Sequence, residues 1–374
     1  MSRIKSFAKK LFSCCPKPAA VMLILAAFSL LLFLGFLISP PFADCYNRYP
    51  GTFVRAVFAT LTGWLPFSLA ETLLMLLPLL LVLFIVHLVR LYKKELRDMV
   101  RFAFVLLAVL SFFISSFCLG FAAGYRGTPL SDKLGLVQAK VSPEELDTTA
   151  RALLEEMEPL LDDVRYRRNG SSILPYTLTD MNAKLQAAYR SAAVVYDFLP
   201  TFTSRIKPIV LSEPMTYTHI SGVYSYFTGE SNINTNFPDY TLPFTAAHEL
   251  AHQRGIARED EANFVAFLVC RQSEDPYIRY SGYMSIYEYV ISALYKADKD
   301  RYNALIRDTD LSFRQEMLAY NAFFDKYKEN VVADISGTIN NSYLQSQGQT
   351  AGSKSYGMVV DLAVAYYKNI PTED

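Results

Sequence analysis

Four histidines, five cysteines and one tryptophan are all that the 374 residues hold of three types that often mark metal sites, redox pairs and stacking platforms. Charge is missing in a more organised way. No Asp, Glu, Lys or Arg occurs at 18–43, 72–89 or 102–125, although 19% of the chain is charged. A helix needs about 20 apolar residues to cross a bilayer. These charge-free runs therefore predict three membrane helices, at about 19–39, 68–90 and 102–124, and exclude a wholly soluble protein. The first run is too long for the apolar centre of a cleaved signal peptide and reads as a retained anchor. Few titratable groups accompany the spans: Glu71 lies at one interface of the second and His87 near its other end.

Lys and Arg set the orientation. Arg3, Lys5, Lys9, Lys10 and Lys17 precede the first run, and Arg90, Lys93, Lys94, Arg97 and Arg101 separate the second from the third. Only Arg48 and Arg55 lie between the first and the second. This asymmetry predicts a multi-pass membrane protein with a cytoplasmic N-terminus. Residues 1–124 then form a lipid-embedded anchor, and 125–374 form an extracytoplasmic domain. Twelve of the 36 basic residues and four of the 36 acidic residues precede residue 125, so the outer part carries eight more acids than bases. An acidic surface repels phosphate backbones, which excludes nucleic acid as a partner. Of Cys14, Cys15, Cys45, Cys118 and Cys270, only Cys45 and Cys270 fall on the outer side, which is no disulfide framework.

What is present after residue 125 is mostly helical. A linker at 125–141 leads to "SPEEL" at 142–146, where Ser142 and Glu145 have the spacing of a capping box. A second helix starts at a Thr179 or Asp180 cap. Residues 208–235, rich in β-branched and aromatic side chains, predict two or three short strands at 208–211, 218–227 and 230–235. Helices follow at about 245–254, 258–273, 281–297, 299–308, 311–329 and 356–368. The fold class is α+β, mostly helical, with one small sheet.

Two of the four histidines stand in "HELAH" at 248–252. On a helix, positions i and i+4 share a face, so His248 and His252 can aim one ring nitrogen each at a common cation, with Glu249 beside them as a general base. This is the H-E-x-x-H arrangement of zinc hydrolases. Thr245 is the expected cap. Gly255 can end the helix in a left-handed turn and send the chain back through "REDEANF". A catalytic zinc takes three protein ligands, and no histidine follows His252, so the third is expected to be a carboxylate. Glu259 and Glu261 compete. Glu259 is preferred because Asn263, one turn on, can hydrogen-bond it from outside the ligand set; Glu261 lies deeper in the returning helix. An oxyanion donor is expected from His219, with Tyr224, Tyr283, Tyr343 and Tyr356 as weaker candidates. The strand region at 221–236 can offer an edge to an extended peptide.

"HELAHQRGIAREDEANF", with "SGVYSYFTGESNINTN" upstream and "YLQSQGQTAGSKSYGMVVDLAVAYY" near the C-terminus, resembles a family of bacterial membrane proteins catalogued as a domain of unknown function and similar to gluzincin metallopeptidases. "EDEAN" is similar to the E-x-x-A-[DN] motif of membrane-bound CAAX-type and phage-antirepressor-type metallopeptidases, in which the first Glu binds zinc and corresponds to Glu259. Only six residues separate His252 from Glu259, a shorter gap than in most such families. The resemblance implies a zincin-like outer domain that binds Zn2+ and hydrolyses peptide bonds of a peptide or protein substrate in the cell envelope. The alternative is a non-catalytic zinc-binding sensor or interaction protein on the same scaffold; the presence of Glu249 favours the enzyme. The motif lies more than a hundred residues past the last span, so the spans read as a plain anchor.

Overall fold

The computed structural model describes residues 13–328 and 330–369. Arg3, Lys5, Lys9 and Lys10, used above for orientation, lie outside the described residues, as does the side chain of Tyr356.

Among the described residues, three helices are long and apolar enough to cross a membrane: α1 (Lys17–Ile38), α4 (Leu69–Leu91) and α5 (Leu96–Gly120). Between the first two, the sequence suggested only a loop. The structure has α2 (Pro40–Tyr46), a π turn at Asn47–Gly51 and α3 (Thr52–Gly63). Ser39 caps α2 by accepting from the Phe42 N–H, and Pro40 and Pro41 occupy the first turn, where no N–H partner is needed.

Beyond α5 the chain forms α6 (Leu130–Lys133) inside the expected linker, then α7 (Pro143–Met157) and α8 (Leu178–Val195). The Ser142–Glu145 capping box is complete, with both reciprocal bonds present. The cap of α8 is Thr177, ahead of the expected Thr179 or Asp180. A three-stranded sheet follows: β1 (Ile206–Pro208), β2 (Gly222–Ser225) and β3 (Glu230–Ile233), with the short α9 (Ser212–Thr216) after β1. The strand order is β1-β3-β2, parallel on one side of β3 and antiparallel on the other. β2 is therefore an edge strand.

The remaining chain is helical: α10 (Thr241–Gln253), α11 (Glu259–Arg271), α12 (Pro276–Ala297), α13 (Lys299–Asp308), α14 (Leu311–Phe324), α15 (Val331–Ser346) and α16 (Val359–Asn369). α15 was not expected from the sequence. The main core is built by α7, α8, α10, α11, α12 and α16, with Leu250, Phe264, Leu268, Tyr280 and Leu362 among its fully buried members. α10 and α11 are buried along nearly every residue, so the histidine helix and the one returning from it lie at the centre of the fold.

Candidate metal centre

α10 starts at Thr241, four residues before the expected cap, and Thr245 is an interior residue. A helix buried on every face has no polar stripe to mark its first turn. It ends at Gly255, whose φ of +91° is the left-handed conformation glycine tolerates. The Gly255 N–H donates to the His252 carbonyl (2.9 Å) and the Ile256 N–H to that of Ala251 (3.1 Å), which satisfies the last carbonyls of the helix. A Cβ on Gly255 would lie 2.4 Å from Asn47 Oδ1 and 2.6 Å from Arg55 Nη2, so the turn also has no room for a side chain.

This turn brings α11 back along α10. Glu259 Oε2 lies 3.2 Å from His248 Nε2 and 3.3 Å from His252 Nε2. One ligand atom from each residue falls within 4.8 Å of the others, a group that can hold a metal ion. The two imidazole rings stand nearly perpendicular, 4.6 Å apart. His252 Nδ1 donates to the Ile256 carbonyl (2.7 Å), which fixes the ring and turns Nε2 toward the cluster, where it can bind a metal once its proton is lost. His248 Nδ1 and Glu249 Oε2 are buried polar atoms without a hydrogen-bond partner, and Glu259 Oε2 meets the two ring nitrogens as ion-pair contacts, not as well-aligned hydrogen bonds. Unpaired buried acceptors are costly, and a cation between the three residues would satisfy the Glu259 oxygen. Two imidazoles and one carboxylate are a donor set suited to a divalent transition metal.

The electrostatics agree with a tightly coupled cluster. Burial would raise the Glu259 carboxyl, but the adjacent imidazoles outweigh it and hold the group well below the ordinary carboxylate range. Burial likewise opposes a charged His252, and Glu259 overrides it, raising the ring to about 9. Glu249 is pushed up to about 7, chiefly by burial. Its backbone carbonyl accepts from Ser231 Oγ (2.9 Å) on β3. A Cβ on Gly222 would come within 2.5 Å of Glu249 Oε1, so β2 approaches the glutamate through a glycine.

Glu261 does something else. Its Oε1 accepts from the Leu130 N–H and from Arg258 Nη1, both at 2.8 Å, and so pins the segment leaving α5 to the first turn of α11. Asn263 lines the cavity beside the cluster and donates to the Tyr289 hydroxyl (3.4 Å). The cavity measures about 620 Å³, and His248 and Glu249 form part of its wall. His219, with φ of +59°, is in that wall too, but its Nε2 is engaged with the Tyr327 carbonyl at 2.9 Å. Tyr224 packs its ring on Phe121, Tyr283 donates to Glu156 and Tyr343 contacts the Tyr125 hydroxyl; none of the three lines the cavity.

Sequence reading did not single out Glu288 or Tyr289 of α12, or Ser336 and Asn340 of α15, all of which line the cavity. A charged residue inside a run of buried aromatics, as Glu288 is in "SIYEYV", was the available signal.

A family model matches residues 46–364, from the end of α2 to the middle of α16. The chain belongs to the family described as "Protein of unknown function (DUF3810)". The DUF3810 match spans residue 124, where the last long apolar helix gives way to the rest of the chain, and includes α4, α5, the sheet and the His248–His252–Glu259 group. Its description names no activity, and no metallopeptidase family is shown. No curated protein and no solved structure matches the chain.

Proposed function

We propose that the protein is a membrane-anchored, zinc-dependent peptidase acting at the outer face of the plasma membrane. The observation that carries this reading is the convergence of His248, His252 and Glu259 on one point, with Glu249 beside them on the wall of a 620 Å³ cavity. Two histidines and a glutamate leave a fourth position of a tetrahedral zinc free for chemistry. Bound zinc would supply Lewis acidity, making water a nucleophile near neutral pH and polarising a carbonyl.

The chain's own residues supply the rest. Glu249, buried and within reach of the cavity, takes the proton of the attacking water and delivers it to the leaving amine. The free edge of β2 supports pairing with an extended peptide, whose scissile bond would then pass Glu249 at Gly222. Burial of both histidines and Glu259 supports exclusion of bulk water from the charged groups.

The test measures two quantities on the full chain in detergent. Zinc content should be about one per chain and should fall in His252→Ala. Glu249→Gln should keep its zinc and lose peptide hydrolysis by several orders of magnitude. Equal zinc in wild type and His252→Ala ends the metal reading, whereas zinc without hydrolysis in the wild type leaves a binding protein.

A further inference from the structure

Although more than a hundred residues separate the third span from "HELAH", the two are in contact. The Phe121 ring, one residue past α5, stands edge-on 5.8 Å from the His252 ring. Arg258, which opens α11, donates to the carbonyls of Tyr125 and Gly127, both at 3.1 Å. Gly124 meets the turn at Gly255 so closely that a Cβ there would lie 2.4 Å from the Gly255 carbonyl oxygen.

Helix geometry sets the height. From Arg101, the last charged residue on α5, to Phe121 is roughly 30 Å of helix at about 1.5 Å per residue, the thickness of a hydrocarbon core. Phe121 therefore sits at the outer boundary, with the metal cluster one ring away. The tip of the β2–β3 hairpin reaches lower: Tyr226 packs on Phe117 (5.4 Å) and Phe227 on Phe113 (5.2 Å), both inside the span.

α3 completes the floor. Its Arg55, Ala59 and Thr62 are buried against the protein. Phe53, Val57 and Leu61, with Trp64 at its end, lie on the opposite face and are 70, 39, 62 and 76% exposed. Spacings of four, four and three residues confine them to one narrow stripe. Such a helix, joined at both ends to membrane spans, lies in the interfacial plane with its apolar stripe among the acyl chains. The backs of α3 and the hairpin meet: a Cβ on Gly229 would strike Phe58 at 2.5 Å.

We propose that the metal centre works in the headgroup layer, floored by α3 in the outer leaflet, and that its substrates are the juxtamembrane stretches of proteins anchored in the same bilayer. A chain pairing along the free edge of β2 would run from Glu249 toward the Tyr226–Phe227 tip, that is, from the cavity down to the lipid. The substrate class rests on the peptidase reading, whereas the placement does not.

Trp64 is the chain's only tryptophan, which gives a direct probe. The full chain is reconstituted in phosphatidylcholine vesicles, with or without bromine near the top of the acyl chains. Trp64 emission should drop at least twofold in brominated lipid and respond little to aqueous iodide. Tyr226→Trp in a Trp64→Phe background should behave alike. Iodide quenching without lipid quenching overturns the proposal. Protection from both, the mark of two copies covering each other's α3, overturns it as well. For the substrate class, one degenerate peptide library is presented in the same vesicles to zinc-loaded protein in three ways: free, about five residues (roughly 15 Å) from a single-span helix, and about forty residues from it. The short tether should be cut at least about tenfold faster than the free peptide, more than the gain that the long tether shows from raised local concentration. Equal rates overturn the proposal. If none is cut, the peptidase reading falls, and quenching still decides the placement.

Discussion

Glu249 and Glu259 are both buried glutamates of the same hairpin, yet their surroundings drive them in opposite directions. Glu259 faces two imidazoles and is held ionised; Glu249 is dominated by burial. Glu259→Gln should therefore abolish zinc binding, whereas Glu261→Gln should retain it and lose thermal stability through the Leu130 and Arg258 contacts. Zinc titration of the two variants side by side checks this; equal loss in both would refute the ligand set. Gly222→Ala pushes a methyl toward Glu249 Oε1. It should keep zinc content within error and, on the peptidase reading, lower turnover by about tenfold or more, since small misplacements of a general base are costly. Glu288, half-buried and accepting from the Tyr240 hydroxyl at 2.5 Å, is raised to about 7, chiefly by burial. The folded state thus holds this proton more tightly than the unfolded chain does. The protein should lose stability as pH rises from about 4.5 to 7, by at most about 3 kcal/mol, and the penalty should persist above pH 7. Thermal unfolding of Glu288→Gln across that window should show a flatter pH profile than wild type; identical profiles would show that Glu288 does not titrate there.

At the scale of elements, the α10–α11 hairpin was largely legible in the sequence. Histidine spacing, Gly255 as terminator and the acidic first turn of α11 all gave its outline, because each rests on local helix geometry. The choice between Glu259 and Glu261 was not decided by spacing. What separates them is Leu130 and Arg258 claiming one carboxylate, and Leu130 lies 131 positions away. The start of α10 was misplaced because all-round burial erases periodicity. α15 was missed because "VVADISGTINNSYLQS" holds few strong helix formers and a glycine. Its start was readable only as Asn330 accepting from the Ala333 N–H. Gly255→Ala must place a side chain at positive φ and into Arg55. It should destabilise by more than the roughly 1 kcal/mol that a strained glycine site costs alone, measured as a drop in melting temperature with zinc absent.

For the whole molecule, the division at residue 124 describes the sequence better than it describes the packing. Lys207 on β1 and Glu230 on β3 form an ion pair that is almost fully buried. Lys207 Nζ also donates to the carbonyls of Thr62 (2.8 Å) and Phe67 (3.0 Å), at the end of α3 and before α4. Glu230 accepts from the Leu69 and Ala70 N–H groups at 2.9 Å each, capping the second apolar helix from the sheet. Glu71, which the sequence places at one interface of the second span, accepts from the N–H groups of Val210 and Leu211. Long-range pairs of this kind leave no periodic mark. Glu230→Gln strands a buried ammonium, at a cost of about 3–5 kcal/mol. It should make residues 125–374 susceptible to limited proteolysis in detergent, where wild type resists; equal resistance would show the link to be dispensable.

Arg55 adds a matter of timing. Its guanidinium is 1% exposed and donates to Asn47 Oδ1 (2.8 Å), the Gly120 carbonyl (2.8 Å) and the Arg254 carbonyl (3.3 Å). The last partner is synthesised 199 residues after Arg55. At about 5–20 residues per second, the ribosome delivers it some ten to forty seconds later. For that interval α3 has its cation incompletely coordinated and its seat for Gly255 empty. The apolar helices therefore complete their packing only when the histidine hairpin arrives, and a nascent chain arrested before residue 254 leaves that packing unfinished as well as lacking the histidine–glutamate cluster.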